Sequence, residues 1–291
     1  VEIFLQGKDS YGLKEWNGNV EVQGIKLFQI KRLTGSRNVI AIFRKFYKIL
    51  QGEYSPITIP KGLELAKLDI QDFTQILVAS IAQSGGRSFQ KTYKCPNKKC
   101  KCLNPRVVDV IKAVQFSAPK IVGGIGKVSL VTDEVVREAK VANVTAATIA
   151  PGAPKVAPPT ANEATVHNTT IENYLKAYEV SEIITPKEAK EKFAAIPVDF
   201  SDDEEFQEFK DLITDIYLLA LHIDVQNKTL DEKVAWLSNL QGDEVALYTK
   251  LATMLLELSP TMKSEYVTKC IKCETEIKEI IEVTDYFFGM G

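Results

Sequence analysis

Apolar positions change their spacing along the chain, and the changes divide it. Over residues 1 to 33 glycines stand at 7, 12, 18 and 24, and short apolar runs lie between them. Val20-Glu21-Val22-Gln23 alternates, and Ile25-Lys26-Leu27-Phe28-Gln29-Ile30 is apolar at near-strand period, so both read as strands. Trp16-Asn17-Gly18-Asn19 is a turn signal, because Asn-Gly tolerates positive φ. The period then becomes helical. Val39, Ile40, Ile42, Phe43, Phe46, Tyr47 and Leu50 share one face, with Ser36 as the expected N-cap and Gly52 beyond the end. Asp69 caps a second expected helix, with Phe73, Ile76, Leu77, Ser80 and Ile81 inward and Gly85-Gly86 closing it.

Strands are expected next over Ser88 to Lys94, Val107 to Ile111 and residues 121 to 131. Residues 150 to 160 hold four prolines and few large side chains. That composition cannot bury enough surface to pack and reads as a linker. Beyond it the pattern is helical again. Thr185-Pro186-Lys187-Glu188, Ser201-Asp202-Asp203-Glu204 and Thr229-Leu230-Asp231-Glu232 are three capping-box starts, and Gly242-Asp243 opens a further helix that Ser259-Pro260 ends. The acidic run Asp202 to Glu205 suits the positive end of a helix dipole. The last segment returns to strands, Ser264 to Thr268 and the apolar positions after Ile277, and finishes on Asp285-Tyr286-Phe287-Phe288-Gly289. That aromatic run is either core or an anchor for a partner.

The expected class is therefore α+β: a strand-rich region built from both ends of the chain, with a helical bundle inserted. The expected segments are 1–135, a strand and helix domain; 136–170, a Pro/Ala-rich linker; 171–262, the bundle; and 263–291, the closing strands. A length of 291 residues with 45% apolar and 25% charged residues suits such a chain. A formal net charge of −2 argues against a protein built to coat nucleic acid. No apolar run is long enough to span a membrane, and the first residues carry neither the basic nor the apolar part of a secretory signal.

The chemistry sits in the cysteines. The chain has five. Three fall in Lys94-Cys95-Pro96-Asn97-Lys98-Lys99-Cys100-Lys101-Cys102 and two in Lys269-Cys270-Ile271-Lys272-Cys273-Glu274. An odd, clustered count without a signal points to metal rather than to disulfides. Structural zinc takes four tetrahedral ligands, and each segment offers a Cys-turn-Cys half-site after a strand, as in a zinc ribbon. The expected ligands are Cys95, Cys100, Cys270 and Cys273, with Cys102 able to replace Cys100. Reduced thiols without metal, or a redox pair, are the competing readings. Lysines around both segments would offset a zinc tetrathiolate.

Other chemistry is thin. Gly123-Gly124-Ile125-Gly126-Lys127 fails as a phosphate loop, since Ile121 stands where the first glycine should be and Val128 where Ser or Thr should hold magnesium. The two histidines, His167 and His222, lie near no nucleophile motif, and no paired carboxylates stand out, so no enzymatic activity and no small-molecule substrate are expected. The Asn-x-Thr sites at Asn143, Asn168 and Asn227 carry no meaning without export. The lysines of residues 91 to 106, with Tyr93 and Arg106, could touch phosphates, which gives a zinc-ribbon nucleic-acid binder as the alternative function.

The order of parts resembles the baseplate hub and hub-assembly proteins of T-even-like contractile-tailed bacteriophages. The resemblance runs through Leu68-Asp69-Ile70-Gln71-Asp72-Phe73, Ser84-Gly85-Gly86 and Tyr93-Lys94-Cys95-Pro96-Asn97. It resumes at Ile216-Tyr217, Leu237-Ser238-Asn239-Leu240, the second cysteine pair and Asp285-Tyr286-Phe287-Phe288. It covers residues 20 to 115 and 205 to 288. Similar proteins pair an early and a late Cys-x-x-Cys; here the first half is Cys-x4-Cys-x-Cys. The resemblance implies a non-enzymatic virion or tail-assembly component. It would bind other baseplate or tail proteins, or the tape measure protein, in the tail baseplate or in the cytoplasm of the infected host.

Overall fold

Strand β1 (Glu2–Phe4) pairs antiparallel with β2 (Asn19–Glu21), Ile3 opposite Val20. The turn expected at Trp16–Asn19 closes the loop between them. Trp16 Nε1 donates to the Asn19 carbonyl at 2.8 Å, and Gly18 sits at φ +91°. A Cβ on Gly18 would press on the Phe4 and Lys8 side chains, which can move aside, so it is the backbone conformation that requires glycine. The structure, a computed structural model, describes residues 1–34, 38–86, 88–130, 163–193, 198–225, 228–240 and 244–281.

The run Ile25 to Ile30 is not a strand. It leads into helix α1 (Leu27–Thr34), where Ile25, Gln29 and Leu33 are buried at intervals of four while Leu27 and Phe28 face outward. A short apolar run fits both periods, and the deciding group is polar. The Gln29 side chain accepts from the Lys26 amide at 2.9 Å, half of a capping box, and donates to the Tyr54 carbonyl at 3.1 Å. Helix α2 (Val39–Leu50) is capped by Asn38, whose side chain accepts from the Ile40 amide; Ser36, the cap expected from sequence, lies outside the described residues.

Helix α3 (Ile70–Ile81) is the centre of this part of the molecule, with Asp69 as its cap, as its sequence implies. Ten of its twelve residues are buried, so it is walled on more than one side. Phe73 meets Phe43 and Phe46 edge-on, with ring centroids 5.4 and 5.3 Å apart. Asp72 is buried on the same helix. Its carboxylate accepts from the amides of Gln6 (2.9 Å) and Gly7 (3.0 Å) and from the Tyr11 hydroxyl (2.6 Å). Gly85, at φ +92°, turns the chain into β3 (Ser88–Lys94), which pairs along its length with β4 (Leu103–Asp109). The strand expected over residues 107 to 111 thus starts earlier. It ends at Asp109, which accepts from the Ile111 and Lys112 amides and starts the single turn α4 (Val110–Ala113). Strand β5 (Gln115–Ser117) follows.

A second compact unit comprises Gly124–Thr169 and Lys176–Leu258; Val1–Gly123, Thr170–Leu175 and the chain from Ser259 onward form the first. This division differs from the expected one. Strand β6 (Ile125–Ser129), assigned by sequence to the N-terminal domain, pairs with β7 (Glu163–His167) in the second unit. Residues 163–167 had been expected in the linker. They form a strand because Ala164 and Val166 alternate inward, while the linker up to residue 162 lies outside the described residues. The glycine-rich stretch is the turn and strand β6 itself, with Gly123 and Gly124 at φ +98° and +69°.

Helix α5 (Ile171–Ile183) begins in the first unit, where the Ile171 amide donates to the Leu68 carbonyl at 2.8 Å. Helix α6 (Pro186–Lys192) has the predicted Thr185/Glu188 capping box. Helix α7 (Asp203–His222) starts one residue later than its motif suggested. Asp202 caps it, accepting from the Glu204 and Glu205 amides, because Ser201 is engaged by Asp199. Strand β8 (Ile223–Val225) completes the sheet in the order β6–β7–β8. Helix α8 (Leu230–Ser238) carries the Thr229/Glu232 capping box, and α9 (Val245–Leu258) packs on β6, where a Cβ on Gly126 would collide with Met254. The inserted unit is thus a bundle around a small sheet, not helices alone.

The chain then rejoins the first unit. Strand β9 (Thr261–Lys263) pairs with β5, and β10 (Glu265–Lys269) forms a hairpin with β11 (Glu276–Ile280). The aromatic run at 285–289 lies outside the described residues. Among the described residues no helix is long and apolar enough to cross a membrane.

Candidate metal centre

Each cysteine segment is the loop of a two-stranded antiparallel hairpin. Residues 95–102 join β3 to β4, and residues 270–275 join β10 to β11. The loops are tightened by their own backbones. The Cys95 amide donates to the Cys102 carbonyl at 2.9 Å and the Cys100 amide to the Asn97 carbonyl at 2.9 Å. In the other loop the Cys270 amide donates to the Thr275 carbonyl at 2.9 Å and the Glu274 amide to the Cys270 carbonyl at 3.0 Å. Lys101 and Glu274 are the two non-glycine residues with positive φ among those described, at +52° and +60°. A left-handed residue in each loop bends it enough to aim two sulfurs at one point.

Three contacts align the hairpins. The inward ring of Tyr93 stacks on Tyr266, centroids 5.5 Å apart. Arg106 donates through Nη2 to the Lys269 carbonyl at 2.7 Å and through Nε to Thr268 Oγ1 at 3.2 Å. Asn104, fully buried, accepts from the Ile271 amide at 2.8 Å and donates to the carbonyls of Cys102 (3.0 Å) and Tyr93 (3.3 Å). Its amide therefore joins both hairpins at the base of the cysteine loops.

The sulfurs of Cys95, Cys100, Cys270 and Cys273 lie within 4.8 Å of one another, and these four residues could hold a metal ion. Cys95 Sγ is 3.5 Å from Cys273 Sγ, and Cys100 Sγ is 3.8 Å from Cys270 Sγ. All five cysteines are free thiols. A tetrahedron of thiolates at Zn–S of about 2.3 Å has edges of roughly 3.8 Å, so the spacing suits zinc and is far too long for a disulfide. Cys102 is not part of the group; its thiol donates to the Leu103 carbonyl at 3.4 Å.

The surroundings favour thiolates on one side of the cluster. The Lys272 amide, 3.5 Å from Cys270 Sγ, brings that thiol down to about 6. The Thr275 hydroxyl, 3.2 Å from Cys273 Sγ, lowers Cys273 as well. Burial pushes Cys95 up to about 12. At Cys100 the Cys102 amide pulls downward, but burial and the neighbouring Cys273 and Cys270 thiols leave it raised. Four thiols this close cannot all ionise without a cation between them, which is the chemistry of a divalent metal site.

The two hairpins also show what the sequence reading passed over. The start of β4 departs from the usual polarity: Asn104 is buried and Arg106 half-buried on the face that Val108 continues into the core, while Leu103, Pro105 and Val107 are exposed. Inward polar groups alternating with outward apolar ones were the available signal that this strand does more than cover a core. The two histidines belong to the second unit and the cysteines to the first. His167 Nε2 lies 2.8 Å from Asp224 Oδ2, and His222 Nδ1 lies 2.6 Å from the Leu218 carbonyl. Compared with protein-family models, with curated proteins and with solved structures, the chain finds no match.

Proposed function

We propose that this protein is a structural, non-enzymatic component of a phage tail baseplate hub or of its assembly, with a zinc ion held by Cys95, Cys100, Cys270 and Cys273. The observation that carries the reading is the convergence of those four thiols from two hairpins. Four protein ligands fill the coordination shell of zinc and leave no position for a reacting water, so the ion works as a staple and the pair of hairpins as a zinc ribbon. It ties together residues 178 positions apart in sequence. Closing so long a loop restricts the unfolded chain strongly.

The hub reading is supported by the order of segments that resembles hub proteins, from Leu68-Asp69-Ile70 through the two cysteine half-sites. It places the protein in the tail baseplate or in the cytoplasm of the infected host, with baseplate, tail or tape measure proteins as partners. Purification under reducing conditions with metal analysis tests the zinc clip. One zinc per chain, lost on replacement of Cys270 by serine, supports it, and a chain that folds fully without metal overturns it. Reconstitution with purified hub and tape measure proteins tests the role. Stable co-migration supports it, and failure to associate with any tail protein removes it.

A further inference from the structure

The cysteine loops carry more cationic charge than a metal centre needs. Lys94, Lys98, Lys99, Lys101, Lys269 and Lys272 are all exposed. Among the described residues none of these six ammonium groups has an ion-pair or hydrogen-bond partner, whereas Lys67, Lys127 and Lys278 are each paired with a glutamate. A zinc tetrathiolate has a net charge of about −2 and Glu274 of the second loop adds one negative charge, so about half of the six positive charges remain uncompensated.

The face next to them is apolar. Along β4, Leu103 and Val107 are each 62% exposed, with Pro105 between them. Their cross-strand neighbours on the same face are Lys94, Thr92 and Gln90. Single exposed aliphatic residues are ordinary, but three outward apolar side chains on one strand, with Asn104 and Arg106 beside Val108 on the other face, are not. This patch has an aliphatic centre and a cationic end.

We infer that the outward face of the β3–β4 hairpin, with the lysines of the two cysteine loops, is a docking surface for a protein that presents carboxylates around an aliphatic patch. The charge sets the sign of the partner. The side chains set its class. Single-stranded nucleic acid is held by bases stacked on exposed aromatic rings, and the tyrosines here are engaged with each other: Tyr93 is buried and stacked on Tyr266. Leu103, Pro105 and Val107 offer area to an apolar surface and no plane to a base. The inference rests on the reading that the protein works through protein contacts.

The test uses the full chain with its metal content measured in every sample. Three fluorescent probes are compared at physiological salt: a short peptide alternating Glu and Leu, an oligoglutamate of equal charge, and a thymidine oligonucleotide. The Glu-Leu peptide is expected to bind roughly tenfold or more tightly than either of the others. Leu103→Ser with Val107→Ser should abolish its advantage over oligoglutamate, and Lys98→Glu with Lys99→Glu should weaken it by roughly tenfold or more, compared between samples of equal zinc content. Equal or tighter binding of the oligonucleotide overturns the inference in favour of nucleic acid. No binding, no preference for the aliphatic probe, or no effect of these substitutions overturns it outright. Any of these results with full zinc content leaves the metal clip standing, so the two readings fail separately.

Discussion

Asn104 shows how one polar side chain can hold two hairpins in register. Its amide bonds one backbone N–H and two carbonyls, joining the loop of one hairpin to that of the other. Asn104→Ala would remove these three hydrogen bonds at a fully buried position, and we expect a loss of about 2–4 kcal/mol in urea unfolding of the metal-loaded protein. The cysteines separate as sharply. Cys100→Ser should remove the metal, whereas Cys102→Ser, whose half-buried thiol donates to the Leu103 carbonyl and lies outside the four-sulfur group, should keep full metal content and change stability by less than about 1 kcal/mol. Colorimetric zinc release on thiol titration distinguishes the two. The sequence had left Cys100 and Cys102 interchangeable. Spacing alone does not say which of two cysteines around Lys101 points inward; the left-handed turn at Lys101 decides it, and nothing in a lysine announces such a turn.

At the scale of elements, the parts legible in sequence were those with a local cause. Asp69, Thr185 and Thr229 cap where their motifs lie, because a cap is a contact between residues two or three apart. Apart from the Ser201 cap, displaced to Asp202 by the neighbouring Asp199, the failures involve distant partners. Residues 25–30 read as a strand, but Ile25, Gln29 and Leu33 are buried together and Gln29 reaches Tyr54. Strand β7 read as linker because its partners, β6 and β8, are remote in sequence. Gly24 marks another such meeting. A Cβ there would stand 2.9 Å from the Gln83 carbonyl oxygen and 3.1 Å from its carbon, both backbone and unable to swing aside. Gly24→Ala should therefore destabilise by about 1–3 kcal/mol, read as a lowered denaturation midpoint with unchanged slope. Removing the metal should loosen the β10–β11 hairpin first. Its two strands pair with each other alone, and chelation should speed amide exchange at Val267 and Ile277 more than at Phe73 in α3.

At the scale of the whole molecule, the buried groups His222 and Asp72 respond to acid in opposite directions. Burial lowers His222 to about 4, with the nearby His167 and Lys233 adding to it and the Leu218 carbonyl opposing. The unfolded chain takes up that proton near 6.5, so the contribution of neutral His222 is complete above that pH and is lost as pH falls towards 4, about 3 kcal/mol in all. Burial raises Asp72 to about 6, against the bonds from Tyr11, Gly7 and Gln6. There the folded chain holds a proton that the unfolded chain releases near 3.8. That contribution is complete below 3.8 and is lost as pH rises through 6, again about 3 kcal/mol. Between pH 7 and pH 5, acidification should therefore weaken α7, which carries His222, and strengthen α3, which carries Asp72. Exchange rates of the two helices, corrected for their intrinsic pH dependence, should move apart.

The two thiol pairs of the clip also differ in when they leave the ribosome. Cys95 and Cys100 are synthesised early, and all of residues 124–169 and 176–258 emerge before Cys270 and Cys273. The unit begun first is thus completed last, reversing the usual order in which domains mature during translation. Throughout that delay the early hairpin presents two thiols without their partners, and a premature stop anywhere upstream of Cys270 would release a chain whose defect lies in the segment it had already finished making.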